Sequence, residues 1–241
     1  MTNRTYCFVT RHYNWLIKPY LYMNDKYWGE PITVVSDIKI DLPAPHTFVM
    51  MPEYCKHFYQ DRMGQMVKEI INQFPEPLAT ISLPDLWTKT PVDVDLVKQL
   101  GQHMMENPIA RGNLWAGAYA TDQCEEVVEV SERLSVGKVS PHKSQIGATS
   151  GLLAMWSKKF LNDFFENDWT WANMELDGQR KFAKEDYDTG RWYSVATKPG
   201  LVDGAHIMYT SDPNMARITQ VSDEDKGVIR KWIPSNFRVE E

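Results

Sequence analysis

Short apolar runs alternate with segments of helical period through the first 105 residues, and this alternation limits what the chain can fold into. Tyr6-Cys7-Phe8-Val9-Thr10 is a short apolar run and reads as a buried first strand. Arg11-His12-Tyr13-Asn14 comes next as a polar loop, and Leu16, Ile17, Tyr20 and Leu21 then recur at helical spacing. Ile32-Thr33-Val34-Val35 is β-branched and reads as a second strand, ending at Ser36-Asp37. Strand, helix and strand fit within about 30 residues, the length of a βαβ unit.

The same order then repeats. Phe48-Val49-Met50-Met51, between prolines, reads as a short edge strand. Met63, Met66, Val67, Ile70, Ile71 and Phe74 make the clearest amphipathic helix, stopped by Pro75 and Pro77. Leu78 to Ile81 reads as another strand, leading to the loop that carries Asp85 and to an amphipathic segment from Val94 to Met105. Two such alternations imply an α/β fold with a mostly parallel central sheet and flanking helices.

Beyond Met105 the pattern changes. Leu114 to Thr121, Val127 to Leu134 and Gln145 to Trp156 are short and β-rich, and are expected as antiparallel additions to the sheet. Lys158 to Asn167 is helical in pattern, and 168–191 is an aromatic, acidic, loop-rich stretch. Gly200 to Tyr209 reads as a last strand. The tail from Asp223 is charged, with Trp232-Ile233 as its apolar anchor. No repeat or linker divides the chain, so a single domain over 1–241 is expected.

Asp85 falls beyond the carboxyl end of a central strand, where open α/β sheets bind ligands. A nucleotide phosphate or a metal would sit there; a turn or helix-cap role accounts for the residue equally well. The net charge of −6 argues against a protein that coats nucleic acid by bulk electrostatics. Three scattered cysteines and no CxxC point to a reducing compartment. No run approaches the ~20 apolar residues of a membrane span, and the amino terminus carries no secretory core. A cytoplasmic protein, in a host cytoplasm if viral, is the expectation. There is no GxGxxG, GxxxxGK[ST], HExxH or GxSxG motif, and the six histidines lack ligand spacing.

The run Leu83-Pro84-Asp85-Leu86-Trp87-Thr88-Lys89-Thr90-Pro91-Val92-Asp93 resembles a pattern in nucleotide-sugar glycosyltransferases of the GT-A fold. In one bacterial and viral group of them the central strand ends in two acids and two aromatics, with Pro-Val-Asp shortly after. Tyr13 to Asp37 is similar to that family's opening, and Ser150 to Glu175 to its later region. The acidic pair of the family falls on Pro84 and Asp85, so one acid is replaced.

The resemblance implies residues 1–105 as a nucleotide-sugar-binding half and 106–241 as an acceptor-binding half. It implies Thr10, Arg11, Tyr13, Asp37 and Asp85 around a donor, most simply a UDP-sugar. Asp85 and His206 would ligate Mn²⁺ or Mg²⁺ against the donor diphosphate. Alternatively Arg11, Lys89, Arg180 or Lys181 would offset the phosphate charge without a metal. Glu175 or Asp177 would be the general base. Trp169, Trp171, Arg180 and Lys181 would meet the acceptor, although either Trp serves equally well as core. The acceptor expected is the hydroxymethyl group of 5-hydroxymethylcytosine in double-stranded bacteriophage DNA, with Lys138, Lys143, Lys158, Lys159, Arg180 and Lys181 as a basic rim. A cell-surface polysaccharide or its precursor is the alternative acceptor, and a non-catalytic binding protein on the same scaffold is the alternative class.

Overall fold

The structure is a computed structural model that describes residues 3–55, 62–115, 124–139, 153–170, 173, 194–209 and 212–240. Four parallel strands form its amino-terminal half: β1 (Asn3–Val9), β2 (Ile32–Ser36), β3 (Thr47–Met50) and β4 (Leu78–Ser82), in the order β3-β2-β1-β4. β2 and β4 are buried throughout, which is why their apolar residues do not alternate with exposed polar ones. β3 lies at the sheet edge and is largely exposed, matching the prolines around it.

The helices arise from the periodicities. A 3-10 turn over Arg11–Leu16 leads into α1 (Ile17–Tyr27), so the stretch expected as a polar loop is already helical. Pro19 falls in the first turn of α1, where its missing N–H removes no helical hydrogen bond. α2 (Met63–Ile71) buries Met63, Met66, Val67, Ile70 and Ile71 and stops before Pro75. α3 (Val94–Glu106) begins at Asp93, whose side chain accepts from the Leu96 N–H. The aspartate of Pro91-Val92-Asp93 is therefore a helix cap.

Successive side chains of the central strands serve opposite layers. Tyr6 and Phe8 join the cluster under α2, and Cys7 and Val9 join the one under α1. After β4 the chain forms β5 (Leu86–Thr88) and α3, and then five more strands of the main sheet. These are β6 (Arg111–Asn113), the hairpin β7 (Cys124–Ser131) and β8 (Leu134–Val139), β9 (Ala154–Ser157) and β10 (Ser194–Lys198), with α4 (Lys158–Phe164) after β9. The sheet order continues β4-β9-β6-β10-β8-β7. β9 lies antiparallel between β4 and β6, and β8 antiparallel to β10, as expected of additions in this half. β5 belongs instead to a separate two-stranded ribbon with β11 (Gly204–His206).

The carboxyl-terminal segment is more structured than its charge suggests. β12 (Met208–Tyr209), β13 (Asp212–Arg217) and β14 (Arg238–Glu240) form a third sheet. α5 (Asp223–Ile229) docks on α1 through Asp225, a fully buried carboxylate. Asp225 accepts from Tyr22 Oη at 2.9 Å, Tyr27 Oη at 2.6 Å, Lys26 Nζ at 2.7 Å and Ser222 Oγ at 2.6 Å. Burial opposes its charge, but these hydrogen bonds outweigh that and hold its pKa down to about 2. Among the described residues no helix is long and apolar enough to cross a membrane.

Candidate functional site

β1, β2 and β4 end side by side, with Val9 paired to Ser36 and Cys7 to Ser82. The loops after these three strands therefore share one edge of the sheet. That is the position at which this class of sheet binds ligands, and it gathers Thr10, Arg11, Tyr13, Asp37 and Asp85.

Arg11 and Asp37 form a two-point contact. The Arg11 backbone N–H donates to Asp37 Oδ1 and its Nε to Oδ2, both at 2.7 Å. The Asp37 side chain is 8 % exposed and that of Arg11 57 %. Both carboxylate oxygens of Asp37 are thus engaged in tethering the loop after β1, and the Arg11 guanidinium stands at the surface. Thr10 is buried, and its carbonyl accepts from the Tyr13 N–H at 2.9 Å. Tyr13 packs against the α1 cluster. Of these, Arg11 is the exposed side chain with hydrogen-bonding groups to spare.

Pro84 has a local physical role. The Leu86 N–H donates to the Leu83 carbonyl at 3.1 Å, closing a turn with Pro84 and Asp85 at its centre. Proline presets the backbone for the first central position of such a turn. The Trp87 indole N–H then donates to the Pro84 carbonyl at 2.8 Å, and Trp87 itself is fully buried. Pro84 thus fixes the turn that presents Asp85. Trp87 is core, packed beneath it.

The β5–β11 ribbon brings His206 to Asp85. Register pairs His206 with Leu86, and the Ile207 N–H donates to the Asp85 carbonyl at 2.9 Å. His206 Nε2 lies 2.9 Å from Asp85 Oδ2, with the imidazole half exposed and the carboxylate 18 % exposed. The hydrogen bond to Asp85 raises the His206 pKa, against a smaller opposing effect of burial. Close by, burial and then the Asp85 charge push the Cys7 thiol well above its ordinary pKa.

A carboxylate oxygen and an imidazole nitrogen converging on one point suit a cation such as Mn²⁺. Among the described residues no group of three or more His, Cys, Asp or Glu side chains is assembled. A cation held by Asp85 and His206 would need phosphate and water oxygens to complete its shell. Of the cations considered as substitutes, the two within the described residues are engaged with acids: Arg11 with Asp37, and Lys89 Nζ with Asp203 Oδ1 at 3.2 Å.

Trp169 lies elsewhere than on an open platform. It packs edge-on against Phe164 at 5.1 Å within the cluster that joins α2 and α4 to the sheet, and its carbonyl accepts from the Gly64 N–H. Leu83, two residues before Asp85, borders the same cluster. Glu175, Asp177, Trp171, Arg180 and Lys181 lie outside the described residues, as does Lys143. The three described lysines of the expected basic rim do not reach this edge. The Lys158 N–H donates to the Pro77 carbonyl, just before β4 begins, and Lys138 pairs with Val195 near the start of β10. β6 and β10 run parallel to β4, and β8 and β9 run against it. The reversed strands therefore carry Lys138, Lys158 and Lys159 to the end of the sheet away from Asp85.

Sequence reading passed over Trp115. It lies just after β6 at the edge where Asp85 lies, half buried, with a bridge to Val202. A Cβ built on Gly204 would meet Trp115 Cζ3 at 2.1 Å, so the ring lies directly on the ribbon. Gly204 and His206 are two apart on β11 and share a face. The available signal was a glycine two residues before a histidine, and it is weak.

No family of known proteins matches the chain, and no curated protein matches it. Among solved structures it is similar to glucosyl-3-phosphoglycerate synthase from Mycobacterium tuberculosis in complex with Mn²⁺, UDP-glucose and phosphoglyceric acid. The TM-score is 0.51 and the identity 12 %, over 88 % of this chain and 73 % of that one. It is also similar to S. aureus TarS, with a TM-score of 0.48 and 10 % identity over 81 % of this chain. The chain spans 35 % of that protein's length. A CMP:2-keto-3-deoxy-manno-octonic acid synthetase complexed with CTP gives a TM-score of 0.41 and 12 % identity, over 84 % and 94 % of the two chains. With its mostly parallel sheet and its antiparallel carboxyl-terminal additions, the chain has the GT-A fold.

Proposed function

We propose that the protein is a glycosyltransferase that moves a sugar from a nucleotide-sugar donor, a UDP-sugar, to an acceptor hydroxyl. The observation that carries this reading is the Asp85–His206 pair at the carboxyl end of β4, on a GT-A sheet, beside the Arg11–Asp37 contact at the ends of β1 and β2. The enzyme of similar fold from Mycobacterium tuberculosis holds Mn²⁺ and UDP-glucose, which favours the same class of donor here.

Transfer breaks the bond between the anomeric carbon and the diphosphate and forms one to the acceptor oxygen. The acceptor proton goes to a base, and the nucleotide diphosphate leaves with the bonding pair. Asp85 and His206 are assigned to the diphosphate end, where a divalent cation bound by them would offset the charge of the leaving group. Arg11, anchored by Asp37, is assigned to the nucleotide. Glu175 or Asp177 is assigned the proton in an inverting course. Residues 1–105 supply these donor contacts apart from His206, and 106–241 are assigned mainly to the acceptor.

Incubation with a panel of nucleotide sugars and Mn²⁺, with and without EDTA, tests the donor assignment. EDTA-sensitive release of nucleotide diphosphate is expected. No hydrolysis, with no thermal shift from any nucleotide, favours a non-catalytic binding protein. The acceptor carried forward is the hydroxymethyl group of 5-hydroxymethylcytosine in DNA, against a surface polysaccharide precursor. Nucleoside masses after digestion of treated hydroxymethylated DNA decide between them: a hexose or pentose increment supports the DNA acceptor, and unchanged masses with every donor remove it.

A further inference from the structure

The sheet edge that carries Asp85 continues past β4 to β6. Tyr6, Ile81, Ala154 and Asn113 stand in one row across β1, β4, β9 and β6, and Thr33 of β2 extends the row on the other side of β1. The four strands of this row that run parallel end in loops that carry, in spatial order, Asp37, Arg11, Asp85 and Trp115. With β9 between them, β4 and β6 lie about 10 Å apart.

Trp115 is fixed by its surroundings. Its N–H donates to Asn113 Oδ1 at 3.1 Å, and the Leu114 carbonyl before it accepts from the Val202 N–H at 2.8 Å. Its ring borders the cluster under α3 and lies on Gly204. Gly204 has an ordinary backbone conformation, so what glycine supplies there is room for the ring. Ala205 and Trp87, paired on the ribbon, are buried in the α1 cluster. Gly204 and His206 therefore face the other way, about 7 Å apart. The Trp115 ring and the His206 imidazole are thus neighbours on one face of β11, and both side chains keep exposed surface.

We propose that Trp115 is the residue on which the transferred sugar of the donor rests, its indole set against the apolar C–H face of a hexopyranose. The inference rests on the donor reading above, with the nucleotide at Arg11 and the diphosphate at Asp85 and His206. A nucleotide sugar is linear, with nucleoside, diphosphate and sugar in that order, and the edge offers Arg11, Asp85 and Trp115 in the same order. The sugar, one bond beyond the diphosphate, comes to the next loop, where Trp115 stands. A tryptophan suits the task because it offers a large, rigid apolar surface to the C–H groups. The sugar hydroxyls then point away from the ring, towards polar partners and the acceptor.

Isothermal titration in Mn²⁺ with UDP, UDP-glucose, UDP-galactose and UDP-N-acetylglucosamine tests this on the native chain, Trp115→Phe and Trp115→Leu, with circular dichroism confirming the fold. Phenylalanine keeps a ring, and leucine keeps only apolar bulk. The readout is the affinity of the best-bound UDP-sugar relative to UDP. Trp115→Leu is expected to lower that ratio about fivefold or more, and Trp115→Phe to recover most of it. A residue that only packs would move UDP and UDP-sugar together. On the native chain, saturation-transfer NMR with irradiation of the aromatic protons is expected to reach the sugar C–H protons. A ratio unchanged in Trp115→Leu, equal weakening of UDP and UDP-sugar, or transfer to the uridine alone each overturns the role of Trp115 and leaves the donor assignment standing. A native chain that binds neither UDP nor any of the UDP-sugars overturns the donor assignment, and this inference with it.

Discussion

His206 Nε2 and Asp85 Oδ2 lie 2.9 Å apart although the residues are separated by 121 positions. Asp85 is a central residue of a turn built by Pro84, and His206 ends a three-residue strand whose register is set by Leu86 and Trp87. The contact therefore joins the amino-terminal sheet to the carboxyl-terminal segment at the place where the central strands finish. The Asp85 bond holds the His206 pKa above its ordinary value of about 6.5. An NMR titration of the His206 ring is expected to show this, and Asp85→Asn is expected to return it towards about 6.5. An unchanged pKa in the variant would mean that the pair does not form in solution.

The sign of that shift sets a pH dependence. A histidine whose folded pKa is raised stabilises the fold fully below its unfolded pKa, and the contribution disappears as pH rises through the folded value. His206→Asn is therefore expected to lower stability by about 0.5–1 kcal/mol at about pH 5.5, and by less at about pH 8.5. Denaturant unfolding at both values checks this. Mn²⁺ affinity should move oppositely, rising with pH as the ring loses its proton.

Asp225 makes the reverse case. Its carboxyl is held at about 2, well below an unfolded value of about 3.9. Its contribution is present above the unfolded value and is lost as pH falls from about 4 through about 2. Asp225→Ala leaves Lys26, Tyr22 and Tyr27 without their shared acceptor and is expected to cost about 3 kcal/mol at about pH 7. Urea unfolding at neutral pH measures it. A loss under about 0.5 kcal/mol, the size of an ordinary surface change, would contradict the role given to this cluster.

Much of the fold could be read from sequence because it rests on periodicity. The runs at Tyr6 to Val9, Ile32 to Val35 and Leu78 to Ile81 are buried parallel strands, and the spacing of Met63, Met66, Val67 and Ile70 is α2. Periodicity says nothing about β5 or β11, three residues each, whose pairing is settled by tertiary contacts. It also passed over α5, because Asp225 reads as a solvated charge until Tyr22, Lys26 and Tyr27 are seen to surround it. The position of Asp85 at a strand end was legible from the strand pattern, whereas His206 beside it was suggested by the resemblance alone and not by its spacing. The engagement of Asp37 with Arg11 and the displacement of Lys138 and Lys158 to the far end of the sheet depend on strand direction and loop packing, which spacing does not encode.

Gly204 tests the arrangement around the ribbon. A methyl group there would overlap the Trp115 ring, so Gly204→Ala is expected to cost about 1–3 kcal/mol or to displace Trp115. Thermal unfolding together with the near-ultraviolet signal of the tryptophans reports both. Alanine tolerated with neither change would show that the ring does not rest on β11.

Asp85 as the donor-binding acid is tested most directly by hydrolysis of nucleotide sugars in Mn²⁺, measured for the native chain and for Asp85→Asn, with circular dichroism confirming that the variant is folded. The native chain is expected to turn over at least one UDP-sugar, and a folded Asp85→Asn is expected to lose about 100-fold or more of that activity. A variant that is folded and turns over at the native rate would contradict the assignment of the site.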